Sequence, residues 1–377
     1  MKNILIVGGT FDREGGRASS IVNKISEGVS KYSNIYDNDH NTTLYNGGNI
    51  EDLPRILESV KEQSIVFWMP NVSNDEIKIR DVKSINHKVI LVNSKRNDNS
   101  KYTFAELIQR SLAAKANLTI EFSKGEDGIF NMLLFDPLGN SFYEGSDIDK
   151  LCENLVKRMF KLTEFTRKPT IPTDNTDTIE VPDEEEFFTF ARNCSTIFHN
   201  LIKPAKDTER FLGNMSFRCQ NGFPSFRGDN GLIFVSKRNV NKEEIQKDSF
   251  VPCYLDENEN VRYYGENKPS VDTPVQLRLY EKFPEINYMI HAHCYINMPE
   301  QPQIFTDNPV PCGAIEEVEE ICRVMSKVNP ERELFAINLI GHGCIIMAKS
   351  IGPLMNLMDY KNSCFVQRNM PEKIKDI

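Results

Sequence analysis

No apolar run in the 377-residue sequence approaches the roughly 20 residues that a membrane-spanning helix needs. The apolar stretch at the N-terminus, Ile4–Val7, is too short for a secretory leader and reads as a first strand. The nine cysteines are scattered and form no CxxC pair. An odd count at irregular spacing fits reduced thiols in a cytoplasmic protein better than a disulfide framework. An excess of basic residues is also missing. Lys and Arg number 45 against 54 Asp and Glu, a net charge of −9, which argues against a broad nucleic-acid surface. There is no internal repeat, and neither a GxGxxG nor a GK[ST] loop.

The remaining composition, 40% hydrophobic and 26% charged, is that of an ordinary globular protein. The length is too great for a single typical core, so two domains are expected. The first half alternates strand and helix patterns. Strands are expected at Ile4–Val7, Thr42–Tyr45, Ser64–Met69 and Lys88–Asn93, and helices from Ile21, near Ile50–Lys61 and over Thr103–Ala116. Phe130–Tyr143 reads as a hairpin around a Pro-containing turn, and a helix over Asp147–Phe165 closes the unit. Alternating βα units imply a Rossmann-like, doubly wound parallel sheet over residues 1–166, with ligands beyond the carboxyl ends of the strands. Three polar loops fall there: Gly8–Ser20, Pro70–Asn74 and Asn93–Asn99. In the first, Gly8, Gly9, Thr10, Gly15, Gly16, Arg17, Ser19 and Ser20 lie between a strand and a helix start, a geometry that suits a phosphate or nucleotide. The competing reading is a turn that is glycine-rich for steric reasons alone.

Residues 167–182 carry prolines, Thr and Asp without an apolar period and read as a linker. A second domain is expected over 183–377. It opens on a helix at Phe187–Leu201 and ends on one at Ser350–Phe365. Between them, hairpin-like strands suggest an antiparallel sheet flanked by helices. An apolar strand ends in His291-Ala292-His293-Cys294. Two histidines at i and i+2 of a strand share a face, which is half of a divalent-metal site. Cys294 points to the opposite face. His342, between Gly341 and Gly343 at the end of another apolar run, is a third ligand candidate, and Asp272 lies in a loop upstream. His199, on a helix, reads as a core or surface residue.

Five segments in order resemble the class II aldolase/adducin family over 183–367. They are Gly213-Asn214-Met215-Ser216-Phe217-Arg218, Leu232–Ser236, Lys268-Pro269-Ser270-Val271-Asp272, His291-Ala292-His293 and Gly341-His342-Gly343. The resemblance implies a central antiparallel sheet between helical layers, and Zn²⁺ or another divalent ion on His291, His293 and His342. It also implies a homo-oligomer, typically a tetramer. By the same resemblance Asp272 moves the proton, and Asn214, Ser216, Ser236 and Ser270 hold the phosphate of a small phosphorylated substrate. Asp272 stands where the family has Glu, Val271 where a second hydroxyl is usual, and Lys237 where Gly is usual. Lys237 either adds a charge for an anionic substrate or blocks the phosphate position. Tyr295 is the nearest candidate for the tyrosine acid of the sugar-phosphate aldolases. The implied activity is aldolase-type cleavage through a metal-stabilised enediolate. Epimerase or dehydratase chemistry on the same metal, or a non-catalytic adducin-like module, are the alternatives.

Overall fold

The computed structural model describes residues 2–37, 39–72, 82–125, 128, 130–174, 179–201, 212–219, 232–298, 302–357 and 364–365; for 196–201 and 364–365 only the backbone is described. The chain divides into two compact units, Met1–Glu164 and Phe165–Val366.

The first unit runs β1 (Lys2–Asp12), α1 (Ser20–Tyr36), β2 (His40–Asn49), α2 (Leu53–Glu58), β3 (Ile65–Trp68), β4 (Asn71–Val72), α3 (Val82–Ile85), β5 (Ile90–Arg96), α4 (Phe104–Ala113), β6 (Leu118–Lys124), β7 (Phe130–Phe135), β8 (Ser141–Gly145) and α5 (Ile148–Thr163). The sheet order is β2-β1-β3-β5-β6-β7-β8, with β4 also on β1. Pairings from β2 through β6 are parallel, and β6-β7-β8 are antiparallel. The sheet is therefore largely parallel, as the alternating pattern predicts. Leu5, Val7 and Phe11 of β1 pack with Leu53, Ile56 and Val60. Alternate residues Ile4 and Ile6 are equally buried, as a strand covered on both faces requires. Asp147 caps α5, and Thr103 and Glu106 form a capping box on α4. Two residues of the expected loop Pro70–Asn74 form β4, and 73–74 lie outside the described residues.

The second unit runs β9 (Thr170–Pro172), α6 (Glu185–Leu201), β10 (Asn214–Arg218), β11 (Ile233–Ser236), β12 (Phe250–Leu255), β13 (Val261–Tyr263), α7 (Thr273–Lys282), β14 (Tyr288–Ala292), β15 (Tyr295–Ile296), α8 (Glu316–Met325), β16 (Leu334–Leu339), β17 (Gly343–Ala348), α9 (Ile351–Asn356) and β18 (Cys364–Phe365). Its main sheet has the order β16-β17-β14-β10-β11-β12-β13-β9 and is antiparallel except for the last pair. The two faces differ in chemistry. On one, Phe187 and Phe188 of α6 lie against Phe217, Phe250 and Tyr288 with ring centroids 5.0–6.3 Å apart. On the other, Val275, Leu279 and Tyr280 of α7 and Val318, Ile321 and Val324 of α8 pack on Met289, Ile345 and Met347. His291 is two residues from Met289 on β14, so it sits on this second face.

Two expectations change. The stretch 167–182, which reads as a linker from its composition, supplies β9, which pairs in parallel with β13. Three residues on a sheet edge need no apolar period, and an edge tolerates Pro172 within the strand and Pro169 before it. The helix expected over Ser350–Phe365 is helical over Ile351–Asn356. Residues 358–363 lie outside the described residues, and Cys364–Phe365 pair with β15 as a strand.

Candidate metal centre

Strand β14 ends at Ala292, where its partners β10 and β17 also end. Asn214 and Ile345 stand opposite His291 in register, and Cys344 opposite Ala292. His342 sits in the turn from β16 to β17. Gly343 makes that turn possible: its φ is +147°, and a Cβ there would lie 2.0 Å from the Ala292 carbonyl oxygen. The turn thus rests directly on the end of β14 and brings the third histidine onto the first two. The ring centroids of His291 and His342 are 4.5 Å apart, those of His291 and His293 4.9 Å, and those of His293 and His342 5.3 Å. One nitrogen from each lies within 4.8 Å of the others.

Second partners aim two of the rings. Nδ1 of His291 bonds the Cys344 carbonyl at 2.9 Å, and Nδ1 of His342 bonds Glu317 Oε1 at 2.7 Å. Both rings therefore present Nε2 to the centre. Both residues are buried, 4% and 5% exposed, and neither Nε2 has a hydrogen-bond partner among the described residues. A buried polar atom left unpaired costs about 1–3 kcal/mol. Two such atoms facing one point, with backbone or carboxylate partners behind the rings, is the arrangement of metal-binding imidazoles. The residues present fit a divalent ion. Burial and the neighbouring His342 push His291 down to about 4, so it is neutral and able to bind metal at neutral pH. Burial opposes charge on His342 as well, but the Glu317 carboxylate, with Cys312, outweighs it and draws its pKa up.

Asp272 closes the centre. It stands at the start of α7 with Pro274 in the first turn. Its Oδ2 lies 3.8 Å from His291 Nε2, and its Oδ1 3.9 Å from His342 Nε2. Asn214 Nδ2 donates to Oδ2 at 2.9 Å, and Gln276 donates in turn to the Asn214 oxygen. Cys312 Sγ lies 2.9 Å from Oδ1. Burial raises the carboxyl, but His291 and His342 outweigh it and hold Asp272 below its ordinary range.

The residues expected to hold phosphate have varied placements. Asn214 orients Asp272. Ser216 is fully buried, and its hydroxyl bonds the Tyr280 hydroxyl at 3.1 Å. Ser236 Oγ accepts from Met215 N at 3.1 Å. Ser270 N donates to the Ser236 carbonyl, and Lys237 bridges to Pro269. The Tyr295 hydroxyl accepts from Gly341 N at 3.0 Å. Sequence reasoning missed Glu317, Gln276 and Cys312. It also missed Arg167, whose Nε donates to the Cys312 carbonyl at 3.4 Å, and Lys242, buried and adding a positive field at His291. Glu317 is hidden among Glu316 and Glu319 in the first turn of α8, where acidic residues are ordinary.

The glycine-rich loop of the first unit is a closed structure. Thr10 and Arg17 exchange backbone hydrogen bonds at 2.8 and 3.0 Å. Asp12 Oδ1 accepts from Glu14 N and Gly16 N, and Asn46 Oδ1 from Ser19 N. Ser19 caps α1. Gly16 has φ +62°, and a Cβ there would lie 1.9 Å from the Thr10 oxygen. Gly8 packs on Val22, Gly9 on Asn46 and Gly47, while Gly15 faces open space. Arg17 and Ser20 are exposed.

Residues 200–298 match the family model described as the class II aldolase and adducin N-terminal domain. No curated protein matches the sequence. Three solved structures are similar over part of the chain. The DNA/pantothenate metabolism flavoprotein from Streptococcus pneumoniae has 14% identity, covers 42% of this chain and 98% of its own, with a TM-score of 0.33. The C-terminal domain of a coenzyme A biosynthesis bifunctional protein has 11% identity, coverages of 43% and 96%, and a TM-score of 0.31. An aldolase II superfamily protein from Pseudomonas syringae has 10% identity, coverages of 48% and 75%, and a TM-score of 0.31.

Proposed function

We propose, on the premise that the C-terminal part of the chain is a class II aldolase domain, that this domain is a divalent-metal-dependent lyase. Its substrate is a small phosphorylated or otherwise anionic carbohydrate-like molecule. The observation that carries the reading is the pair of buried, unpartnered Nε2 atoms of His291 and His342, both within 4 Å of the Asp272 carboxylate. Zn²⁺ or a related ion, held by His291, His293 and His342, would supply Lewis-acid stabilisation of the enediolate that forms on C–C or C–H cleavage. Asp272, held ionised by the two imidazoles, takes and returns the substrate proton. Asn214 and Gln276 fix the carboxylate from one side and Cys312 from the other. Lys237 and the buried Lys242 favour an anionic substrate.

Metal analysis tests the premise. The purified chain should hold one divalent ion, lost in His291→Ala with His293→Ala, and a wild type without affinity for Zn²⁺ sinks the reading. Screening ketose phosphates for aldehyde release against epimer or water-loss products then separates a lyase from an epimerase or dehydratase. A non-catalytic, adducin-like role is the second reading, favoured by the commitment of the Ser216 hydroxyl to Tyr280 and of Ser236 Oγ to Met215 N. Bound metal with no turnover of any ketose phosphate would support it. For the first unit the proposal is a nucleotide or phosphorylated ligand at the carboxyl ends of the parallel strands, checked by equilibrium dialysis with nucleotides. Light scattering of the full chain tests the homotetramer.

A further inference from the structure

We infer that Cys312 is a sulfur donor of the same centre, which suits it to a thiophilic divalent ion rather than to one that selects oxygen ligands. The inference rests on the three-histidine reading and adds a ligand to it. One ligand atom each from Asp272, Cys312 and His342 lies within 4.8 Å of the others, so His342 belongs both to this group and to the histidine group. Its Nε2 is buried and unpartnered, and lies 3.9 Å from the carboxylate oxygen that Cys312 also reaches.

The position of the thiol is built, not incidental. Cys312 lies in the turn before α8, closed by Ala314 N donating to the Pro311 carbonyl. A Cβ on Gly313 would lie 2.9 Å from both the Val271 oxygen and its side chain, so the turn is packed on the Val271–Asp272 loop. The Gly313 backbone N–H also donates to the Asp272 carboxylate. Arg167 Nε holds the Cys312 carbonyl from outside. Asp272 is one methylene shorter than glutamate, and the thiol occupies the side of the carboxylate facing His342. A thiolate among imidazoles favours Zn²⁺ or Co²⁺ over Mg²⁺, because soft ligands bind softer ions.

Cobalt reports the donor directly. Co²⁺ titrated into the metal-stripped full-length protein should give visible d–d bands and a near-ultraviolet sulfur-to-cobalt charge-transfer band, saturating together. Cys312→Ser should keep the visible bands, which show that the folded centre persists, lose the near-ultraviolet band, and bind Zn²⁺ about 10–100-fold more weakly. Cys294→Ser and Cys344→Ser, at the two other thiols near the histidines, should leave both bands in place. Visible bands without the near-ultraviolet band in the wild type, or a near-ultraviolet band that survives Cys312→Ser, overturn the inference and leave the three-histidine site standing. No cobalt binding at all overturns both.

Discussion

The glycine-rich loop of the first unit and the histidine cluster of the second differ in how their polar groups are satisfied. In the loop, Asp12, Asn46 and the Thr10–Arg17 pair take up backbone donors from within the chain. In the cluster, two imidazole nitrogens are buried with no hydrogen-bond partner among the described residues. Folding normally pairs buried polar groups, so the loop spends these polar groups on its own backbone, whereas the cluster keeps two ring nitrogens for a partner other than these side chains. The buried carboxylates make the same contrast. Asp136, in the turn between β7 and β8, accepts from Leu138 N, Asn140 N and the Asn140 amide, yet burial pushes it up to about 6. Asp272, equally buried, is held low by the imidazoles that face it.

The sharpest way to break this contrast is steric. Gly16→Ala forces a Cβ into the Thr10 carbonyl and should lower the stability of the first unit by about 3 kcal/mol or more, while metal content stays unchanged. Gly343→Ala should lower stability and metal content together. Urea denaturation with metal analysis reads both, and equal metal loss in the two variants would contradict the distinction. A second effect comes from pH. The folded pKa of Asp136 lies above its unfolded value, so its contribution is fully present below about pH 4 and is lost as pH rises through about 6. The swing is about 3 kcal/mol. Asp136→Asn should flatten that part of the stability profile. Next, Glu317→Gln removes the carboxylate behind His342 and should weaken metal binding about 10–100-fold, measured by metal titration, and should lower the metal-free melting temperature as well because a buried pair is broken. Smallest, Asp12→Ala leaves two backbone donors of the loop without an acceptor and should cost about 1–2 kcal/mol, measured by thermal melting, with no effect on metal affinity.

Much of this was legible in the sequence because chemistry and local geometry coincided. His291 and His293 are a strand period apart, and Gly341 and Gly343 flank His342 at a turn. The alternating pattern of the first unit and the hairpin at Phe130–Tyr143 follow from periodicity. Glu317 and Cys312 were not legible. Each reaches the centre through a turn or a helix start whose packing is set by distant segments, 25 residues away in the case of Glu317 and His342. The glycines of the Gly8–Ser20 loop were visible, but glycine permits both backbone-to-backbone packing and approach to a phosphate, and composition alone does not separate them. Arg167 is not legible because a stretch without apolar period reads as a connector.

That connector has a practical meaning for anyone dividing the chain. The three residues Thr170–Pro172 cap the β13 edge of the second sheet, and Arg167 braces the turn that holds Cys312. A fragment begun at Asp183, where the composition first looks like a new domain, would expose the backbone groups of Val261–Tyr263 as an open edge. Open edges recruit strands from other molecules, so such a fragment should aggregate, whereas one begun at Phe165 should stay dispersed.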